Sequence, residues 1–277
     1  MAMVLISGGM DLAAGRTVGV AVVITGSLGQ MADYSNKFFP DLPQLPFWVP
    51  LLVAIVVCFL FGLLNGVSVA YFSIPPFIVT LATGMIIWGI NLLYYDMEPN
   101  NSQPIGGIQE GIKYFGSGYI AGTVPVIIVI AIVVVLISWY IMKYTSFGRN
   151  IYAIGGNRDA AEVCGIKVKQ VLVWTYAIAA ITFAIAGYLE CARTNGATAS
   201  YGDGYEFDAI AACVVGGVSN SGGVGTIPGM ALGVLMFGII NYGLTFLGVQ
   251  TYWQKIVKGI IILTAVGFDV RKNIQKK

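Results

Sequence analysis

Two sets of residues in this sequence could do chemistry. The first is the run Asn157-Arg158-Asp159-Ala160-Ala161-Glu162-Val163-Cys164-Gly165. Asn157 can cap a helix by accepting a hydrogen bond from a free backbone amide. Acids in the first turn suit the helix dipole, and Gly165 can end the helix. A short helix of this kind either lies flat on a membrane or docks into a partner. The second set comprises isolated polar residues near or inside apolar runs: Asn65, Asn91, Glu190, Asp208, Asn241 and Lys258. Ionisable groups in such surroundings point to function, or to span ends where they reach water. Glu190, Asp208 and Lys258 lie close to such ends and read as structural or interfacial. Asn65, Asn91 and Asn241 are neutral donors and acceptors. They suit solute hydroxyls without the penalty of a buried charge, which makes them the candidate substrate-pathway residues.

Much chemistry is excluded. The chain has no histidine, which removes histidine acid–base catalysis, Ser-His-Asp triads and His-ligated metal sites. Cys58, Cys164, Cys191 and Cys213 are scattered, with no pair at metal-binding spacing. Gly222-Gly223-Val224-Gly225-Thr226 is glycine-rich but has no lysine to reach a phosphate, so it is not a nucleotide loop. No catalytic residue and no metal site is therefore expected. Any ATP that drives this protein is hydrolysed on another chain.

The elements that hold these residues follow from composition. Of 277 residues, 57% are apolar or aromatic and 10% are charged, and mean hydropathy is +0.81. A soluble domain carries roughly 25% charged residues, so the solvent here is the lipid bilayer. A net charge of +2 is too small to suggest nucleic acid. A spanning helix needs about 20 mostly apolar residues. The spacing predicts spans over Phe47–Ala70, Phe77–Tyr95, Val124–Met142, Val171–Cys191, Ile227–Leu247 and Trp253–Phe268, with weaker ones over Leu12–Gln30 and Ala209–Val218. The fold class is all-α, a polytopic helical membrane protein of about eight spans in a single domain over residues 1–277. The period of four in Gly62/Gly66 and in Gly225/Gly229/Gly233 predicts close helix packing.

Lysines and arginines set orientation. The loop 143–170 holds Lys143, Arg149, Arg158, Lys167 and Lys169, and the tail holds Arg271, Lys272, Lys276 and Lys277, so both read as cytoplasmic. The loop 96–123 carries Asp96, Glu98 and Glu110 against Lys113 and reads as external. Eight crossings then place the N-terminus inside, provided that Ala209–Val218 crosses fully. The first ten residues are already apolar and look like the end of a helix whose beginning is absent.

Four blocks in order carry a resemblance. They are Ser7-Gly8-Gly9-Met10-Asp11-Leu12-Ala13-Ala14-Gly15, Asn65-Gly66 with Pro76-Phe77-Ile78-Val79-Thr80-Leu81, Phe147-Gly148-Arg149-Asn150-Ile151-Tyr152-Ala153-Ile154-Gly155-Gly156-Asn157, and Asp208–Gly217 running into Ser221–Thr226. Together they resemble permease subunits of bacterial ABC sugar importers, in the ribose/xylose/galactose branch. Asp11-Leu12-Ala13-Ala14-Gly15-Arg16, Gly89–Asp96 and Ile240–Thr245 are most similar to its galactose/methyl-galactoside members. The resemblance implies a permease homodimer in the bacterial inner membrane, ATP-Mg bound and hydrolysed on a separate ATPase, and a periplasmic sugar-binding protein. It implies that this chain binds no cofactor itself. Gly148, Arg149, Asn157, Asp159, Ala160, Ala161 and Gly165 correspond to the family's ATPase-coupling element, with Asp159 in a position usually held by Glu. Ala13 stands where the family usually has Ser. Members carry roughly two further helices before the first block, so the chain resembles a ten-span permease lacking its first two. A stand-alone secondary transporter or channel, and a truncated non-functional permease, remain as alternatives.

Overall fold

The computed structural model describes the backbone of residues 1–274. The tail residues Lys276 and Lys277, and the side chains of Arg271 and Lys272, lie outside the described residues. In chain order the helices are α1 (Ala2–Ile6), α2 (Ala14–Leu28), α3 (Trp48–Tyr71), α4 (Pro76–Tyr95), α5 (Glu110–Ser117), α6 (Val126–Tyr144), α7 (Ser146–Gly156), α8 (Arg158–Val163), α9 (Val168–Thr194), α10 (Tyr205–Val215), α11 (Ile227–Phe246) and α12 (Thr251–Ile274). Two short antiparallel strands, β1 (Tyr119–Ile120) and β2 (Val124–Pro125), sit between α5 and α6.

Each of the eight apolar segments read from the sequence is helical. Among the described residues, α3, α4, α6, α9 and α11 are long and apolar enough to cross a membrane. α2 is shorter, at 15 residues. The predicted crossing over Ala209–Val218 is the 11-residue helix α10. At 1.5 Å per residue it is about 16 Å long, half of the ~30 Å hydrocarbon core. Gly204 at its N-cap has φ +80°, and Gly216 and Gly217 end it. Glycines at both ends, not apolar content, set its length.

The chain divides into two compact units. One comprises residues 12–134 and 176–203. Its centre is α2, buried on almost every side apart from Arg16 in its first turn and Leu28 at its end, as expected of a helix surrounded by protein. Small residues let its neighbours approach. Gly187 of α9 lies against Ala21 and the Val18 carbonyl, and Gly62 of α3 lies against Ala180 and the Tyr176 carbonyl. At Gly62 this is the small-residue packing that the glycine spacing predicts. Beyond α2, Gln30 Nε2 donates to the Gly106 carbonyl at 2.9 Å and its Oε1 accepts from the Phe38 amide at 2.7 Å. Gln109 donates to the Leu45 carbonyl at 3.0 Å. Two buried glutamines thus tie the connections on either side of α3 and α4 to the end of α2.

The other unit comprises residues 1–11, 135–175 and those from Gly204 onwards. Here Gly229 and Gly233 of α11 pack on Gly216 and the Ala212 carbonyl of α10. Lys258 of α12 bonds Asp208 in the first turn of α10 at 2.8 Å, and its ammonium lies 5.9 Å from the centre of the Phe237 ring. Both partners are partly exposed, so the pair is worth less than a fully buried one. Asp208→Asn should lower thermal stability in detergent by about 1–2 kcal/mol. Exchanging the two residues should recover part of that loss, because the carboxylate also gains from the α10 dipole. A swap no more stable than either single variant would contradict the pairing role.

Candidate functional site

The connection from α6 to α9 builds its shape locally. Thr145 caps α7 by accepting from the Gly148 amide at 3.2 Å. Asn157 breaks α7 from α8 and caps α8, its Oδ1 accepting from the Ala160 amide at 2.9 Å. At the far end the Ile166 amide reaches back to the Ala161 carbonyl at 3.1 Å, and Gly165 adopts φ +82°. The cap and the glycine stop are those predicted from the sequence. A Cβ on Gly165 would meet nothing within 4 Å, so backbone conformation, not space, requires glycine there.

The candidate coupling residues divide by exposure. Arg149, Asn157, Asp159 and Ala160 are exposed, as is Gly165. Gly148 and Ala161 are buried. A side chain on Gly148 would strike the Ile141 and Met142 carbonyls at the end of α6, so its role is to let α7 turn back on α6. Ala161 packs inward and holds α8 to the protein. Sequence reasoning missed the residue most available to a partner: Val163, at the end of α8, is 89% exposed. Exposure of a valine cannot be read from a helical pattern six residues long. Beside α8 a groove of about 400 Å³ is lined by Phe147, Asn150, Ile166, Gln170 and Trp174.

A second local arrangement supports this loop. The Tyr152 hydroxyl donates to the Gly225 carbonyl at 2.8 Å, and burial pushes its phenol pKa up, so it stays a donor at physiological pH. The Gly223 amide donates to the Ile6 carbonyl at 2.8 Å, with Gly155 packed directly against both. The glycine-rich run 222–225 is therefore a backbone seat for α1 and α7.

The candidate pathway residues are not equivalent. Asn65 is buried in α3, and its Oδ1 accepts from the Thr83 hydroxyl of α4, so it serves helix pairing. Asn91 is buried in α4 beside Gly19, and its Oδ1 has no hydrogen-bond partner among the described residues. Asn241 Oδ1, in α11 of the other unit, is likewise buried and without one. The polar groups read as structural behave so: Glu190 pairs with Arg193 at 2.8 Å, and Asp208 with Lys258.

Comparison with known proteins decides the family. A family model described as branched-chain amino acid transport system, permease component, matches residues 1–266. The chain belongs to this permease family. It is similar to the galactose/methyl galactoside import permease protein of Escherichia coli K12, with 45% identity over 99% of this chain and 82% of that one. The corresponding protein of Treponema pallidum is 38% identical over 99% of this chain and 54% of that one. The ribose import permease protein of Bacillus subtilis is 43% identical over 76% of this chain and 64% of that one. No solved structure matches the chain. The permease is thus a helical, membrane-spanning transport component.

Proposed function

We infer that this permease is the membrane-spanning subunit of an ATP-driven importer that moves galactose or a methyl galactoside into the cytoplasm by alternating access. The observation that carries the reading is 45% identity, over nearly the whole chain, to a galactose/methyl galactoside import permease. The capped α8 supports it: a short helix with Val163 exposed at its end is shaped to dock into a partner that hydrolyses ATP-Mg. Arg149, Asn157, Asp159, Ala160 and Gly165 present or shape that surface, while Gly148 and Ala161 hold it in place. A periplasmic sugar-binding protein delivers the solute, and two copies of the permease enclose the pathway. ATP on one side and loaded binding protein on the other bias two conformations of one assembly. Deleting the gene from its native cells should abolish high-affinity galactose uptake, and restoring it should return uptake. Unchanged uptake in the deletion strain would contradict the reading.

The orientation that goes with this function places the 143–170 loop and the C-terminus in the cytoplasm of a bacterium, with the chain crossing its inner membrane. The five basic residues of that loop support it. The cysteines supply a direct check, since Cys164 is exposed and the other three are buried. A membrane-impermeant maleimide should label inside-out vesicles at Cys164 and leave right-side-out vesicles unlabelled. Labelling from the outside would invert the topology.

A further inference from the structure

One arrangement in the unit built on α2 is used neither by the coupling element nor by the packing described above. Arg16, in the first turn of α2, places Nη2 2.6 Å from Asp203 Oδ1, and its guanidinium carbon lies 4.6 Å from the centre of the Trp88 ring. The segment that carries Asp203 is not helical. It follows α9 and runs along α2, with Ala197 against Gly26, the Tyr201 carbonyl against Gly19 and Gly202 against Gly15. Gly26, Gly19 and Gly15 of α2 admit this backbone, which turns twice through Thr198–Asp203, and bring Asp203 beside Arg16.

Depth makes the arrangement unusual. Trp88 is the thirteenth of the 20 residues of α4, about 18 Å along a helix of about 30 Å. α4 is one of the five helices that, among the described residues, are apolar and long enough to cross a membrane. With α4 spanning the bilayer, the ion pair beside Trp88 falls well inside it, yet it is not enclosed by protein. The Asp203 side chain is 60% exposed and the Arg16 side chain 23%, and Trp88 is 39% exposed. An exposed ion pair with one member on non-helical backbone is not stable against lipid tails. At such depth it is found only where protein or a water-filled cavity meets it.

We propose that Arg16, Asp203 and Trp88 form a sugar-contacting station of the translocation pathway. The chemistry fits a neutral polyhydroxylated ring. Asp203 Oδ1 holds the guanidinium and Oδ2 accepts solute hydroxyls. The remaining guanidinium N–H groups donate to solute oxygens, and the indole offers a flat apolar face to ring C–H groups. The two charges neutralise each other, so the station binds no ion strongly and releases an uncharged solute readily. Asn91 lies one turn beyond Trp88 on α4, and its unpartnered Oδ1 adds an acceptor beside the same stretch of α2.

This inference rests on the importer reading, and one experiment separates the two. The complete importer, with its ATPase and sugar-binding protein, is reconstituted in liposomes, and radiolabelled galactose uptake and ATP hydrolysis are measured together. The variants are Trp88→Ala, Asp203→Asn and the exchange Arg16→Asp with Asp203→Arg, which keeps an ion pair but moves its donors and acceptors. The expected result is a fall of tenfold or more in galactose carried per ATP hydrolysed for each variant, in complexes that still assemble as wild type does. A role in merely stapling the 195–203 segment to α2 would lower uptake and hydrolysis together and be rescued by the exchange. Unchanged uptake per ATP, rescue by the exchange, or loss of the permease dimer would each overturn the station alone. Failure of the wild type to carry galactose would overturn the importer reading, and the station with it.

Discussion

Gly155→Ala should leave no folded permease to purify, while Gly156→Ala, one residue on, should be at least as stable as wild type. A Cβ on Gly155 would land on the Ile6 carbonyl and within 2.5 Å of the Gly223 amide. Those two groups are hydrogen-bonded to each other at 2.8 Å, so neither yields without breaking the contact between α1 and the 222–225 turn. The methyl meets backbone, which cannot rotate away as a side chain can, and the penalty should exceed about 3 kcal/mol. A Cβ on Gly156 meets nothing within 4 Å, and alanine is the better helix former by about 0.5–1 kcal/mol. Thermal unfolding in detergent, followed by the loss of monodisperse protein on heating, checks both. A Gly155→Ala protein as stable as wild type would mean that α7, α1 and the 222–225 turn do not meet as described.

The second large effect is on partner binding. Val163→Asp should leave the fold intact and weaken association with the ATPase by tenfold or more, a loss of about 1.4 kcal/mol. The position is 89% exposed, and surface changes of this kind usually alter stability by less than about 0.5 kcal/mol. An aspartate at the end of α8 would remove the apolar surface offered there and set a charge against the helix dipole. Ala161→Asp is the weaker experiment. Ala161 is buried, so loss of association there would follow from a displaced α8 and say nothing about contact. Co-purification of the ATPase with tagged permease, alongside thermal unfolding of the permease alone, separates the two causes. Wild-type association of Val163→Asp would move the coupling surface away from the end of α8.

What could be read from the sequence was what is decided within a few residues. The Asn157 cap and the Gly165 stop were legible because both are backbone events over three or four positions. The apolar runs were legible because the bilayer sets their length. α10 was legible only in part: Glu206 and Asp208 lower the hydropathy of its first turn, so its start at Tyr205 was placed four residues late, at Ala209. The loop 96–123 gave no warning of α5, whose Gly116 fits directly against the backbone of Ala192 and Arg193. The same limit hid the Arg16–Asp203 pair. Its members are 187 residues apart, and only the run of glycines along α2 brings them together. Asn65 shows the reverse error available to sequence reading. An isolated amide in an apolar helix suggested a solute contact, and the structure assigns its Oδ1 to Thr83.

ATP-driven import is tested by galactose uptake into liposomes that contain the permease with its ATPase, supplied with loaded sugar-binding protein. Uptake should require ATP on the side that bears α8, should stop when the ATPase is omitted, and should be indifferent to proton or sodium gradients. Galactose accumulation that follows an ion gradient and persists without the ATPase would contradict it, and would make the chain a self-sufficient transporter.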